Sequence, residues 1–475
     1  MAASAQRRIA SAPRGAQRSG VTPPPMPTPT SRRRFLASST SLAAAALAGP
    51  AVVSAADARR PALLGGTPVR TGAWPSWPVW DPAWEEDFLR VCRSGRWNAA
   101  GGGPLADFER RWAELLGARR CLATSSGTTA LITALHVLGI DAGDEVIVSP
   151  YTFIATYNAI LAHKALPVLA DTDPATLNLD PASIASRITD RTRAIMPVHI
   201  FGLPCDMDPI TALARARGLR VLEDACQAWL AEYRGRKCGT FGDLGCFSFQ
   251  QSKHIPAGEG GAITGMDEDL VDRCNSYHNC GRPVGRFQGN GFFTRGSNFR
   301  LTQFQGVLLL RQMEKLVAET ARRREAADYL NARLGAIPGI TPVRVPAESR
   351  GVYHLYPVRY DARAFAGLTR DAFLRALGAE GVPGSAVYKE QYFDGLLDEA
   401  IASRGFQRLF PAERLKAYRE SFRELRGNRE TCATVVALPQ TVLLASRPAL
   451  DQVVEAFAKL QAQAPALVAA ARAKS

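Results

Sequence analysis

Asp224 and Lys253 stand 29 positions apart, each beside the end of a short apolar run. Val221-Leu222-Glu223-Asp224 reads as a buried strand that delivers carboxylates at its C-terminal end. Phe247-Ser248-Phe249 reads as a second short strand, followed by a polar turn carrying Lys253 and then by Gly258, Gly260 and Gly261. A lysine amine forms a Schiff base with an aldehyde, and an aspartate can pair with a pyridinium nitrogen so that the ring takes up electrons. An acid and a lysine at strand exits are therefore what pyridoxal phosphate (PLP) chemistry requires. Ser248, five residues before the lysine, is placed to donate its hydroxyl to a cofactor phosphate. An isolated lysine in a glycine loop is ordinarily a solvated surface group, so this reading rests on what surrounds it.

The surrounding elements alternate. Cys121-Leu122-Ala123-Thr124 is a strand, Ser125-Ser126-Gly127-Thr128-Thr129 a turn, and a helix is expected from about Ala130 to Leu138. Strands follow at Glu145–Val148, Pro167–Asp171, Ala194–Val198 and Arg220–Asp224, with helices between them, one of them near Met207–Arg217. Strand, turn and helix repeated this way predict an α/β fold with a mostly parallel sheet covered on both faces. Ligands of such sheets bind at the carboxyl ends of the strands, where these residues fall. The Ser125–Thr129 turn suits a phosphate, because N–H groups at a helix start favour a dianion and Gly127 permits close approach. The same pattern is also ordinary N-cap chemistry. Phe153, at the next strand exit, is either a ring-stacking residue or a core aromatic.

Upstream lie an arm, Leu63 to Arg70, and a Trp/Pro-rich stretch with Trp74, Trp77, Trp80 and Trp84. Downstream, a long amphipathic helix is expected from about Thr302 to Leu334. After Pro338-Gly339 the texture changes, with strands at Val352–Arg359 and Val435–Pro439 and helices at Leu368–Gly378 and near Leu450–Lys459. This divides the chain into a leader (1–56), a large domain (57–335) and a smaller α+β domain (336–475).

The net charge of +14 resembles a nucleic-acid signal until it is located. Residues 1–56 hold seven arginines and no lysine or acid, leaving +7 for the rest, a solvated surface and not a nucleic-acid footprint. In the leader, Arg32-Arg33-Arg34-Phe35-Leu36 precedes a weakly apolar Ala-rich segment and a small-residue site at Val53-Ser54-Ala55. That pattern reads as a twin-arginine export signal cut near Ala55 or Ala56, the alternative being a disordered basic tail, and it predicts a periplasmic or secreted protein folded in the cytoplasm. Its apolar segment is too short to span a bilayer, so no stable membrane anchor is expected. Nine cysteines, an odd number without a C-x-x-C pair, predict buried free thiols, with no disulfide framework or zinc site. A Cys274–Cys280 pair is the one alternative.

Many blocks in order carry a resemblance: LLGGTPVRTG, SGTTAL, DEVIVSPYTFIATYNAI, PVHIFGLPCDMDPI, LEDACQA, FSFQQSKHIPAGEGGAI and GSNFRLTQFQ. Over nearly all of its length after the leader, the chain resembles the DegT/StrS family of PLP-dependent aminotransferases of keto-sugars and cyclitols. The resemblance implies the type I aminotransferase fold and pyridoxal 5'-phosphate bound covalently to Lys253. It implies Asp224 on the pyridinium nitrogen, Gln227 on the ring hydroxyl, Phe153 stacked on the ring, and Gly127, Thr128 and Ser248 on the phosphate. Asn298 would reach the phosphate in the neighbouring subunit, which implies a homodimer. The expected substrates are an amino-acid donor, glutamate or glutamine, and a small keto-sugar, keto-cyclitol or related ketone. The block around Lys253 is more similar to the cyclitol and amino-shikimate-type branch. Trp229-Leu230 stands where the family usually has His-Gly, which bulks up the region beside the cofactor. Some relatives carry histidine in place of the lysine and are dehydratases; Lys253 favours transamination. The alternative expectations are an exported PLP-binding protein without transaminase activity and a PLP-dependent dehydratase.

Overall fold

The computed structural model describes residues 59–99, 102–285, 289 and 291–473. The leader read as an export signal, residues 1–56, lies outside the described residues. The strands in chain order are β1 (Arg120–Thr124), β2 (Glu145–Val148), β3 (Leu166–Leu169), β4 (Thr192–Met196), β5 (Arg220–Asp224), β6 (Glu232–Tyr233), β7 (Arg236–Lys237), β8 (Leu244–Ser248) and β9 (Gly261–Gly265). They continue as β10 (Ile340–Pro342), β11 (Ser349–Arg350), β12 (Leu355–Tyr360) and β13 (Val435–Pro439).

The large sheet runs β1-β9-β8-β5-β4-β2-β3. Strands β3, β2, β4, β5 and β8 pair in parallel, and β9 is antiparallel to both neighbours. Val146, Ile147 and Val148 of β2 and Ala194, Ile195 and Met196 of β4 are fully buried, as parallel strands covered on both faces require. The α/β fold with a mostly parallel central sheet is therefore the one the sequence predicts.

A second, antiparallel sheet runs β10-β12-β13. Tyr356 and Val358 of β12 and Leu438 of β13 pack there with Leu330, Phe373, Val453 and Phe457. The helices behind these side chains are Gln303–Leu334, Arg370–Ala379 and Arg447–Ala462.

Two local readings change. The helix after β1 begins at Gly127, not near Ala130, because Ser126 and Thr129 form a reciprocal capping box that starts it one turn earlier. The stretch before β13, to which no element is assigned from sequence, holds the short helices Leu396–Ala402, Arg404–Leu409, Ala412–Ser421 and Arg426–Thr434. Leu397, Phe406, Leu415 and Tyr418 of these helices join the core of the large sheet. Tyr418 donates its hydroxyl to the Pro167 carbonyl there, at 3.0 Å. All nine cysteines are free, Cys274 and Cys280 included, and Cys121, Cys205, Cys238, Cys246, Cys274 and Cys432 are buried.

Candidate active site

The site forms where β1, β8 and β5 end and β9 begins. The register sets Thr124 opposite Gly261 and Gly261 opposite Ser248, so three strand ends lie in one row. The turn after Thr124 is drawn onto that row. A Cβ on Gly261 would stand 2.4 Å from the Ser126 carbonyl carbon, and one on Gly127 would stand 2.8 Å from Ser248 Cβ and 2.9 Å from Cys226 Sγ. Only glycine permits these approaches. The capping box takes up the Thr129 N–H, through Ser126 Oγ at 3.1 Å. The N–H groups of Gly127 and Thr128 open the helix, where no intrahelical acceptor exists. Two such donors beside the Ser248 hydroxyl make a ready anion seat.

Asp224 is buried at the end of β5. Its Oδ2 accepts from Thr156 Oγ1 at 2.9 Å and its Oδ1 from the Cys226 N–H at 3.2 Å. Its neighbour Glu223 turns to the other face of the strand, as a period of two demands. There it is fully buried, accepting from the N–H groups of Gly239, Phe241 and Gly242 and contacting His199. Of the two acids at this strand end, one is consumed by structure and one is left for chemistry.

Lys253 occupies the loop after β8. Its Nζ lies 3.4 Å from His354 Nε2 and 5.8 Å from the centre of the Trp229 ring. Burial pushes its pKa below the ordinary 10.5, with Cys226 and Asp224 pulling partly the other way. Burial, and after it the charges of Lys253 and Arg323, hold His354 well below the usual histidine range, so it faces the amine as a neutral ring. Trp229 is fully buried and donates its indole N–H to the Ser248 carbonyl at 3.0 Å. The bulk expected beside the cofactor is therefore the wall behind the lysine, not an obstruction in an open cleft.

Gln227 accepts from the Phe201 N–H at 2.8 Å and donates to the Tyr388 hydroxyl at 3.2 Å. Phe153 is 57% exposed, which removes the core-aromatic reading and leaves its face available to a flat ligand. Asn298 is exposed; it bridges to Asn279, and the next residue, Phe299, accepts from the Ser125 N–H at 2.7 Å. The segment bearing Asn298 thus lies against the anion-seat turn of its own chain.

Thr156, His354, Tyr388 and Trp77 also belong to the site, the last through an indole N–H that donates to the Lys253 carbonyl at 2.9 Å. None is assigned to the site from sequence, Trp77 being named only as part of a Trp/Pro-rich stretch. Thr156 carries a weak signal, a polar residue three positions beyond Phe153 in a helix otherwise rich in apolar side chains. The collected groups fit a flat, phosphate-bearing aldehyde. They offer an anion seat, an acid for a cationic ring nitrogen, a desolvated amine and an exposed aromatic face. Among the described residues no cluster of His, Cys, Asp and Glu fits a metal ion.

The family model for the DegT/DnrJ/EryC1/StrS aminotransferases matches residues 81–400. The chain is 36% identical over 415 residues to a putative L-glutamine:3-amino-2,3-dideoxy-scyllo-inosose aminotransferase of Streptoalloteichus tenebrarius, covering 86% of this chain and 99% of the relative. It is 38% identical over 305 residues to the GDP-perosamine synthase of Caulobacter vibrioides, covering 64% of this chain and 81% of that protein. Among solved structures, 3-amino-5-hydroxybenzoic acid synthase superposes with a TM-score of 0.73 at 32% identity, over 83% of this chain and all of the other.

Proposed function

The chain belongs to the DegT/DnrJ/EryC1/StrS aminotransferase family, and we propose that it uses pyridoxal phosphate to move the amino group of glutamine or glutamate onto a keto-cyclitol, keto-sugar or related ketone. The observation that carries the cofactor assignment is the meeting of a desolvated lysine, Lys253, with a buried acid, Asp224, beside the Gly127–Ser248 seat. The inosose aminotransferase among the relatives supports glutamine and a cyclic ketone as the first substrates to test.

Bound pyridoxal phosphate supplies an aldehyde that condenses with amines and a ring that stores an electron pair. The protein does the rest. Gly127, Thr128 and Ser248 would hold the phosphate, Phe153 would cover a ring face, and Gln227 would bond the ring hydroxyl. Asp224, its position fixed by Thr156, would keep a proton on the ring nitrogen. Lys253 would hold the cofactor through its amine, and as a free amine it would act as the general base and acid that takes the proton from the donor's α-carbon and gives it back. Its lowered pKa leaves a larger neutral fraction for that work near neutral pH. Asn298 of a second copy completes the phosphate seat, so the working unit is a homodimer.

The test is an absorbance spectrum of the purified protein reconstituted with pyridoxal phosphate. The visible band should bleach on adding L-glutamine or L-glutamate and return on adding an acceptor ketone such as scyllo-inosose. A band unmoved by every amino donor would replace the aminotransferase reading with that of a binding protein.

The twin-arginine leader supports a location outside the cytoplasm, with the cofactor inserted before export. Among the described residues no helix is long and apolar enough to cross a membrane.

A further inference from the structure

The loop that carries Lys253 lies outside the sheet ladder; its base is closed by backbone bonds from Gln251 to Gly258 at 2.9 Å and from Ala257 to Phe249 at 2.8 Å, while its tip at Ser252 and Lys253 is held mainly by side chains. Lys253 donates its N–H to Gln250 at 2.9 Å, and the Gln250 side chain in turn takes the Ser252 N–H and hydroxyl. The carbonyls of Ser252 and Lys253 are satisfied from far away in sequence. Gln440, directly after β13, donates to the Ser252 carbonyl at 3.0 Å. Trp77, on the arm near the start of the described chain, donates its indole N–H to the Lys253 carbonyl at 2.9 Å.

These two donors are themselves linked. Arg323, fully buried on the Gln303–Leu334 helix, gives its Nε–H to Gln440 Oε1 at 2.9 Å and sets its guanidinium 5.3 Å from the centre of the Trp77 ring. Trp77, Arg323 and Gln440 thus close a bracket around two successive peptide groups.

The arm that brings Trp77 has little regular structure, yet it is fastened at several points. The Glu380 carboxylate, fully buried and paired with Lys459 at 2.9 Å, accepts from the Ala62 and Val69 N–H groups at 2.8 and 3.0 Å. Arg70 donates to Gln452 at 2.7 Å, and Trp74 donates its indole N–H to the Gly381 carbonyl at 2.9 Å. The strap is pinned to the C-terminal part of the chain and then crosses to the lysine.

We propose that Trp77 is a positioning residue for the reaction: its indole N–H fixes the Lys253 peptide plane and so aims the lysine side chain at the reacting carbon. This rests on the reading of Lys253 as the cofactor lysine. A lysine has four side-chain rotors, so a shift of its Cα is carried to Nζ, and a misplacement of about 1 Å is enough to cost on the order of 100-fold in rate. Trp77 touches neither cofactor nor substrate in this role; it acts through the lysine backbone.

The test compares Trp77→Phe, which keeps a ring against Arg323 but loses the N–H, with Trp74→Phe, which loses an equivalent bond elsewhere on the strap. Trp77→Phe is expected to lower kcat about tenfold with KM for donor and acceptor changed by about twofold at most, the signature of lost alignment. In the cofactor-free protein, trace acetylation read by peptide mass spectrometry against exposed Lys416 is expected to change the relative reactivity of Lys253 about threefold. Trp74→Phe should leave both readings within about twofold of the parent. If Trp77→Phe matches the parent in both readings, or if the two variants behave alike, the proposal is overturned. Borohydride reduction of the loaded parent separates the two levels. A cofactor tag found on another lysine overturns the lysine assignment and the proposal with it. A tag on Lys253 beside an unaffected Trp77→Phe overturns the proposal alone.

Discussion

Gly127 and Ser248 press together so tightly that a methyl group on Gly127 would stand 2.8 Å from Ser248 Cβ. This single approach joins the turn after β1 to the end of β8 and gathers the donors of the proposed phosphate seat. Gly127→Ala must push one partner away, and Cys226 Sγ at 2.9 Å closes the other direction of escape. The variant should lose about 1–3 kcal/mol of stability to overpacking. It should also bind pyridoxal phosphate at least about tenfold more weakly, as an anion loses a charge-assisted hydrogen bond. Equilibrium dialysis with the cofactor, beside a denaturant titration, measures both. Unchanged affinity would remove Gly127 from the seat.

Asp224 and Thr156 form a testable pair. Asp224→Ala should retain some bound cofactor, since the phosphate seat is untouched, while kcat falls on the order of 100- to 1000-fold. Thr156→Val keeps the shape and removes the 2.9 Å bond to the carboxylate. A hydrogen bond to a charged group contributes about 1.5–3 kcal/mol, so a rate loss of roughly tenfold or more is expected. Single-turnover rates of donor deamination measure both variants, and near-normal turnover in Asp224→Ala would end its assignment.

Much of this site was legible because its chemistry sits at the ends of strongly apolar runs. Val221–Asp224 and Phe247–Lys253 announce a strand exit by local pattern alone, and Ser126 and Gly127 announce a helix start. The helix begins three residues early for a local reason too, the Ser126–Thr129 box. What stayed hidden is long-range. Nothing in the neighbourhood of Trp77, His354 or Tyr388 says that Lys253 or Gln227 lies beside it, since those contacts exist only once the strap and the C-terminal part have docked. Glu223 and Asp224 look alike in sequence; only the alternation of β5 sends one to the glycine turn and the other to the site.

The lysine also makes a stability prediction for the cofactor-free protein. Burial lowers the folded-state pKa of Lys253 below 10.5, so between that lowered value and 10.5 the unfolded chain holds more protons than the folded one. Stability therefore rises with pH across this window, and the penalty is at its full size below it. Lys253→Met removes the penalty at every pH. The variant should be more stable than the parent at about pH 7, and its advantage should shrink as pH approaches about 10.5. Urea unfolding of both proteins at the two pH values reads the difference directly. A constant gap would mean that the amine is fully solvated.

Arg32 and Arg33 give the export reading its sharpest test. Both become lysines in one variant, which keeps the charge and the apolar segment while changing the pair that a twin-arginine receptor reads. Precursor should accumulate inside the cell, visible as a band retaining residues 1–56. Export at the parent rate would assign the leader to another route.

Asn298 and Lys253 test the shared site by complementation. If Asn298 serves the neighbouring subunit's phosphate, Asn298→Ala and Lys253→Ala spoil different halves of each site. Homodimers of Lys253→Ala should be inactive, and those of Asn298→Ala should bind cofactor more weakly. In a hybrid dimer one site receives Lys253 from the first chain and Asn298 from the second, and is whole; the other site carries both lesions. Random mixing makes half of the dimers hybrid, so an equimolar refolded mixture should recover about a quarter of the parent activity at limiting cofactor. If Asn298 instead served its own chain, every site would keep the lesion of the chain that built it. Mixing would then restore nothing, and the activity of the blend would be the average of its parents. The exposure of Asn298 in the single chain, on a segment already bonded to Ser125, leaves its side chain available to reach outward in the way the first outcome requires.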